Sequence, residues 1–115
     1  MKNIQLTCAH ALIKYLIAQK TLIDGKKVPL FPGVFGIFGH GNVACLGQAL
    51  QENQKDLPTW RGHHEQNMAL TGIAYSRAKR RKQIFIATSS VGPGSTNMIT
   101  AAAVAMSNRI PILFL

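Results

Sequence analysis

Charged residues are scarce in this sequence, and acidic residues are the scarcest of them. Only 4 Asp and Glu occur beside 13 Lys and Arg, and charged residues form 15% of the 115 positions. Globular domains contain about 25% charged residues, so we expect protein, rather than water, to cover part of this surface. The hydrophobic content of 47% suits one domain with a single buried core.

Cysteine and long apolar runs are also rare. Neither Cys8 nor Cys45 has a neighbour at the spacing of metal ligands, which excludes a cysteine-based metal site. Both stand among apolar residues, so we expect two small buried hydrophobes.

No segment approaches the ~20 apolar residues of a membrane span, and no apolar signal sequence follows Met1. The sequence therefore predicts a soluble, cytoplasmic protein with no membrane partner.

The net charge of +9 points towards a nucleic-acid partner. The one dense cluster, residues 79–82, follows a predicted helix, where cations complement the negative end of the helix dipole. No aromatic side chains alternate with these cations, as binding of single-stranded nucleic acid favours. We therefore favour a solvated helix end and expect no nucleic-acid partner. A basic, non-catalytic nucleic-acid-binding module is the alternative from a different class.

Apolar periodicity and turn residues divide the chain into alternating helices and strands. The predicted helices span residues 7–20, 43–54, 64–79 and 95–107, with Thr7, Asn42 and Ser95 as N-caps. The predicted strands span residues 33–38, 57–61, 83–88 and 110–115. Residues 21–32 contain Asp24-Gly25 and two prolines, and they are predicted to form a loop or turn. Short apolar strands between helices favour an α/β fold of three layers, α/β/α, with a mostly parallel sheet.

The final residues, 110–115, form an apolar run that is typical of a buried strand. Domains seldom end inside a core strand, because chain termini usually lie at the surface. We therefore expect residues 1–115 to be one domain, incomplete at its C-terminal end, of a longer protein.

Parallel α/β sheets bind ligands beyond the carboxyl ends of their strands, which here directs attention to the loops at 39–42, 61–65 and 89–94. Glu65 opens the third predicted helix, and the residues that share its face are all apolar: Met68, Ala69, Gly72 and Ile73. A carboxyl group on such a face is poorly solvated, which favours its protonated form and a hydrogen bond to a ring nitrogen. The pattern alone favours a simpler role, in which the carboxylate complements the helix dipole.

Two glycine-containing loops supply the other candidate residues. The glycines of Gly92-Pro93-Gly94 let backbone approach a ligand closely, and the following helix offers free N–H groups. The loop is not a P-loop, because no Lys-Ser/Thr follows it, and Asn97 replaces the third glycine of a Rossmann loop. An ordinary tight turn fits equally well. His40 and Asn42 are placed to face a ligand at the sheet edge, although such a histidine is more often structural.

Segments 33–42, 63–78 and 87–115 together resemble the acetolactate-synthase-like superfamily of thiamine-diphosphate-dependent enzymes. The likeness rests on GVFGIFGHGN, on a Glu-Gln pair that opens a helix, and on a strand that leads to Ser-x-Gly-Pro-Gly-x-x-Asn. The segments LTCAHALIKYL and DGKKVPLFPGVFGIFGHGNV are most similar to the branch of C–C hydrolases that open a cyclic diketone derived from myo-inositol. Two positions depart from the superfamily pattern, since His40 replaces a proline and Asn67 replaces a glycine.

The resemblance implies an aminopyrimidine-binding (PYR) domain, in which Glu65 hydrogen-bonds N1′ of the cofactor ring and activates thiamine diphosphate. It further implies cofactor contacts at Gly92, Pro93, Gly94 and Asn97, and substrate-facing positions at His40 and Asn42. The implied substrate is a small cyclic diketone. Acetolactate synthases and 2-oxo acid decarboxylases are the alternatives within the superfamily.

Other parts of the implied site lie outside this sequence. The superfamily binds the diphosphate and Mg²⁺ in a C-terminal domain through a Gly-Asp-Gly…Asn motif, which does not occur here. The resemblance also implies a central domain that is absent, and a homo-oligomer whose site is shared between subunits. These 115 residues alone are therefore expected to be inactive.

Overall fold

The computed structural model describes residues 3–115, in which helices and strands alternate along the chain. The helices are α1 (Cys8–Ala18), α2 (His40–Asn42), a π-helical turn (Val43–Gly47), α3 (Gln48–Glu52), α4 (Glu65–Ala78), α5 (Pro93–Asn97) and α6 (Ile99–Asn108). The strands are β1 (Lys20–Ile23), β2 (Lys26–Pro29), β3 (Val34–Gly36), β4 (Thr59–Arg61), β5 (Ile86–Thr88) and β6 (Leu113–Phe114). Each predicted strand is present but shorter than predicted.

Four strands form an all-parallel sheet in the order β4-β3-β5-β6. The central strand β3 pairs Val34 with Thr59 of β4 on one side and with Ile86 of β5 on the other. Parallel neighbours need long crossover connections, which the helical segments between the strands provide. Because the strands run in one direction, their carboxyl ends lie at one edge of the sheet.

Helices cover both faces of this sheet. Side chains alternate between the two faces along each strand, so each face presents side chains for a layer of helices to cover. On one face, Val34 and Ile86 form a core with Ile13 of α1 and Leu50 of α3. On the other face, Ala87 belongs to a second core that includes buried residues of α4 and α6. The predicted α/β/α fold with a parallel sheet is confirmed.

Residues 21–32 do not form the predicted loop, and that prediction was wrong over most of its length. β1 and β2 pair as an antiparallel hairpin in which Lys20 lies opposite Pro29. Asp24 and Gly25 form its two-residue turn, with φ angles of 49° and 76°. Two-residue hairpin turns favour such positive angles, because they match the twist of the strands.

One of the predicted N-caps is correct and another is wrong. Thr7 caps α1, because its hydroxyl accepts a hydrogen bond from the backbone N–H of His10 at 3.2 Å. Asn42 does not cap a helix, since it lies inside a helical segment that begins at His40. Its side-chain amide instead donates to the carbonyl of Ser89 at 2.9 Å.

The helix predicted to start after Ser95 begins earlier. Pro93 is the first residue of α5 and Gly92 is its N-cap, so the assignment of Ser95 as the cap was wrong. Proline suits a first helical position, where its missing N–H costs no intrahelical bond. The Ser95 hydroxyl donates to the Gly92 carbonyl at 3.0 Å, within the first turn.

Both cysteines are exposed, which corrects the expectation that they are buried. Cys8 is the first residue of α1, and Cys45 belongs to the π-helical turn, where its neighbour Leu46 is the buried residue. Throughout residues 3–115, every helix is too short or too polar to cross a membrane.

Replacement of Ile13 by alanine tests the first core, because this side chain is fully buried. We expect the free energy of unfolding of the 115-residue chain in urea to fall by about 2–5 kcal/mol, since buried methyl groups are lost and a cavity remains. Ile4→Ala is the matched control, because Ile4 is 72% exposed and its loss should change that free energy by less than about 0.5 kcal/mol. Equal effects of the two substitutions would contradict the packing described here.

Candidate functional site

The carboxyl edge of the sheet carries the loops that the sequence indicated. Gly36, Arg61 and Thr88 end the neighbouring strands β3, β4 and β5 at the same level of the sheet. The backbone N–H of Gly62 donates to the Gly36 carbonyl at 3.2 Å, and the N–H of Ile37 donates to the Thr88 carbonyl at 3.1 Å. The loops that follow the three strands therefore start side by side.

Glu65 lies at this edge as the first residue of α4, and its side chain is half-buried. Its Oε2 atom accepts a hydrogen bond from the side-chain amide of Asn97 at 3.2 Å. The helix face behind it is buried as predicted: Met68, Ala69, Gly72 and Ile73. Glu65 is therefore half-buried at the start of a helix whose following turns are buried on one face.

Gly94 brings the backbone of α5 against this carboxyl group. A Cβ atom at position 94 would lie 2.5 Å from Oγ of Ser90 and 3.1 Å from Oε1 of Glu65. A side chain at this position would therefore require the Ser90 hydroxyl to move and would crowd the Glu65 carboxyl group. The close approach of α5 also brings Asn97, at the end of the same helix, to the other carboxyl oxygen.

Gly92 and Pro93 form the exposed start of α5. Gly92 has a φ angle of 71°, which glycine adopts without strain. Its carbonyl accepts hydrogen bonds from the backbone N–H and the hydroxyl of Thr96, both at 3.0 Å. These bonds fix the turn that carries Gly94 towards Glu65.

His40 and Asn42 line a separate cavity of about 270 Å³, together with Gly39, Gly41, Ser90 and Val91. The His40 side chain is exposed, whereas Asn42 is half-buried and uses its amide donor on the Ser89 carbonyl. A Cβ atom on Gly39 would lie 2.5 Å from Cβ of Ser90, so the two loops touch at this point. The predicted substrate-facing residues thus lie next to the group formed by Glu65, Gly94 and Asn97, called here the Glu65 cluster. Their role stays a prediction.

Sequence reasoning missed two residues of this edge. Ser90 contacts Gly39 on one side and Gly94 on the other, and thereby joins the two groups of candidate residues. Arg61 ends β4 and lines a cavity of about 320 Å³ with Ile37, Phe38 and Val43. The predicted strand 57–61 and loop 61–65 placed Arg61 at this edge, but no motif singled out its side chain. The serine pair 89–90 was visible in the sequence as the start of the glycine loop.

The basic cluster 79–82 lies at the opposite end of α4 from Glu65. It follows Ala78, so its cations stand at the carbonyl end of the helix, where they complement the helix dipole. Arg77, Arg80 and Arg81 line a cavity of about 380 Å³ there with Asn108 and Ile110. This surface is remote from the candidate site along the helix.

The Glu65 cluster brings a carboxyl group, an amide and a glycine backbone together at the sheet edge. A carboxyl group can share a proton with a ring nitrogen, and the Asn97 amide restrains one of its oxygens. Within residues 3–115, no three or more His, Cys, Asp or Glu side chains come together as possible metal ligands.

Comparison with known proteins identifies the family of this chain. A family model described as "Thiamine pyrophosphate enzyme, N-terminal TPP binding domain" matches residues 32–115. The chain is similar to proteins named 3D-(3,5/4)-trihydroxycyclohexane-1,2-dione hydrolase, at 50% identity in Clostridium tetani, 52% in Geobacillus thermodenitrificans and 49% in Listeria innocua. These matches cover 99–100% of this chain but only 18% of each relative. The chain belongs to the thiamine pyrophosphate enzyme family, through the N-terminal TPP-binding domain that its residues 32–115 match.

Proposed function

We propose that this chain is the aminopyrimidine-binding, N-terminal part of a thiamine-diphosphate-dependent hydrolase. The full enzyme opens the ring of 3D-(3,5/4)-trihydroxycyclohexane-1,2-dione to 5-deoxy-glucuronate, in myo-inositol catabolism. The relatives of that name support the substrate, because about half of all residues match along the whole chain. The observation that carries the proposal is the Glu65 carboxyl group, which lies between the Asn97 amide and the bare α-carbon of Gly94.

In this proposal Glu65 hydrogen-bonds the ring nitrogen N1′ of the aminopyrimidine and shares a proton with it. Bound thiamine diphosphate supplies a carbon nucleophile and an electron sink. The Asn97 amide holds the carboxyl group in place, and the turn at Gly92-Pro93-Gly94 borders the ring. The buried face of α4 keeps water away from one side of the carboxyl group, which strengthens its hydrogen bonds.

His40 and Asn42 serve the substrate end of the site in different ways. The exposed imidazole of His40 can donate to or accept from the hydroxyl and carbonyl groups of the dione. Asn42 has a structural role, because its side-chain amide donates a hydrogen bond to the Ser89 carbonyl and so links the loop after β3 to the loop after β5.

The remaining parts of the site lie outside this chain in the proposal. The diphosphate and Mg²⁺ bind in a further domain, in keeping with the 18% of each relative that this chain spans. A second subunit of a homo-oligomer covers the open side, where Val91 is 84% exposed and Ile99 is 62% exposed. Large exposed apolar side chains at a site mark a surface for another protein.

The two exposed, unpaired cysteines support a location in the cytoplasm, where a reducing environment keeps thiols free.

Replacement of Glu65 by glutamine in the full-length protein tests the proposed role. The amide keeps the size of the side chain but cannot share a proton, so we expect turnover of the dione to fall by about 10²–10⁴-fold. Glu52→Gln is the matched control, since Glu52 is an exposed glutamate at the end of α3 and should leave turnover unchanged. Full activity of the Glu65 variant would rule out this function for the carboxyl group.

The substrate assignment is tested by assaying the full-length protein with the cyclic dione and with pyruvate. We expect thiamine-diphosphate-dependent release of a uronic acid from the dione, followed by mass spectrometry, and no carbon dioxide or acetolactate from pyruvate. Activity with pyruvate alone would identify an acetolactate synthase or a 2-oxo acid decarboxylase instead.

The isolated 115-residue chain should be inactive, because it offers only one side of the site. We expect no turnover of the dione, and no saturable thiamine diphosphate binding by calorimetry at concentrations that saturate the full-length protein. Turnover by the isolated chain would show that no second surface is needed.

A further inference from the structure

Arg61 lines a cavity at the carboxyl edge that the role of Glu65 leaves unused. It is the last residue of β4, which is the edge strand next to β3, and its side chain is exposed. The cavity has a volume of about 320 Å³, and the other residues that line it are apolar: Ile37, Phe38 and Val43. A single guanidinium group therefore faces an apolar wall.

The Phe38 ring in this apolar wall lies close to two glycines, Gly36 and Gly47. A Cβ atom on Gly36 would lie 2.7 Å from the Phe38 ring, and one on Gly47 would lie 3.7 Å from it. The ring thus occupies space that a side chain at Gly36 would need, whereas the distance at Gly47 is an ordinary contact. Phe38 and Arg61 also line a smaller cavity of about 200 Å³ on the side of α3. Phe38 and Arg61 therefore line two neighbouring cavities together.

The guanidinium group has no carboxylate partner within residues 3–115. The one side-chain ion pair found there joins His10 to Glu52 at 2.8 Å, and no hydrogen bond from the Arg61 side chain occurs there. An arginine side chain keeps its charge at any ordinary pH and offers five donors in a planar fork that matches a carboxylate. The donors of Arg61 are therefore available to an oxygen-rich or anionic ligand.

The cavity of Arg61 adjoins the rest of the site through the loop after β3. Val43 lines this cavity, and Asn42, its neighbour in the chain, lines the one that contains His40. Ser90 lies at the far side of the His40 cavity and against Gly94, next to Glu65. The two cavities are thus lined by consecutive residues of the segment after β3, and the second cavity includes Ser90, which contacts Gly94.

We propose that Arg61 binds the carboxylate that forms when the dione ring opens, and that it determines specificity for this reaction. The inference rests on the proposed function. Water cleaves the bond between the two carbonyl carbons: the hydroxyl adds to one carbon, a hydrogen adds to the other, and no oxidant or reductant is consumed. One carbonyl carbon becomes a carboxylate, which the neutral substrate lacks, and a bidentate arginine is suited to that group.

The test uses the full-length protein with Arg61→Gln and Arg61→Lys, and glucuronate as a stable uronate probe. Loss of a hydrogen-bonded charge should raise the inhibition constant of glucuronate by about 10- to 100-fold in the glutamine variant. The lysine variant keeps the charge without the fork, so we expect an intermediate value. Inhibition by glucose, which lacks the carboxylate, and the KM for thiamine diphosphate should not change.

Arg77→Gln is the matched control, because Arg77 is an exposed arginine in the last turn of α4. An unchanged inhibition constant in Arg61→Gln, with normal dione turnover by the wild type, would overturn the inference and leave the proposed function intact. Absence of dione turnover in the wild type would refute the proposed function itself, and this inference with it.

Discussion

The candidate site depends on one close approach, that of the α5 backbone to the carboxyl group of Glu65. The approach is possible because Gly94 has no side chain to collide with Ser90 or with the carboxyl oxygen. It sets the position of Asn97, whose amide then reaches the second carboxyl oxygen. A larger residue at this position would require the Ser90 hydroxyl to move and would crowd one oxygen of the Glu65 carboxyl group.

The parallel sheet makes this approach possible by aligning the strand ends. β3, β4 and β5 end at the same level, so the loops that follow them meet without long insertions. α4 starts after β4, and α5 starts after β5, so both helices begin at this edge. The aligned ends of these short parallel strands are therefore sufficient to bring Glu65 and Gly94 together from positions far apart in the chain.

Local patterns predicted the features that have local causes. The apolar face of α4, the cap at Thr7 and the layer order follow from spacing and short-range bonds. The hairpin was missed because Pro29 was taken as a loop signal, although Asp24-Gly25 between paired segments favours a hairpin turn. Asn42 was assigned as a cap because its competing partner, the carbonyl of Ser89, is distant in sequence. Arg61 was not chosen as a site residue, although the predicted loop 61–65 lies at the correct edge, because the cavity that it lines is completed by residues that follow β3 in the chain.

Charge and exposure together explain why the proposed site needs a second surface. Glu65 is only half-buried by its own chain, yet a carboxyl group that shares a proton with a ring functions best away from water. The side chains that could complete the burial, Val91 and Ile99, point outwards and are apolar. The net charge of +9 also has few carboxylates to balance it within these residues. A partner surface over the carboxyl edge would complete the burial, and acidic residues on it would offset the charge, so assembly and cofactor binding are expected to reinforce each other.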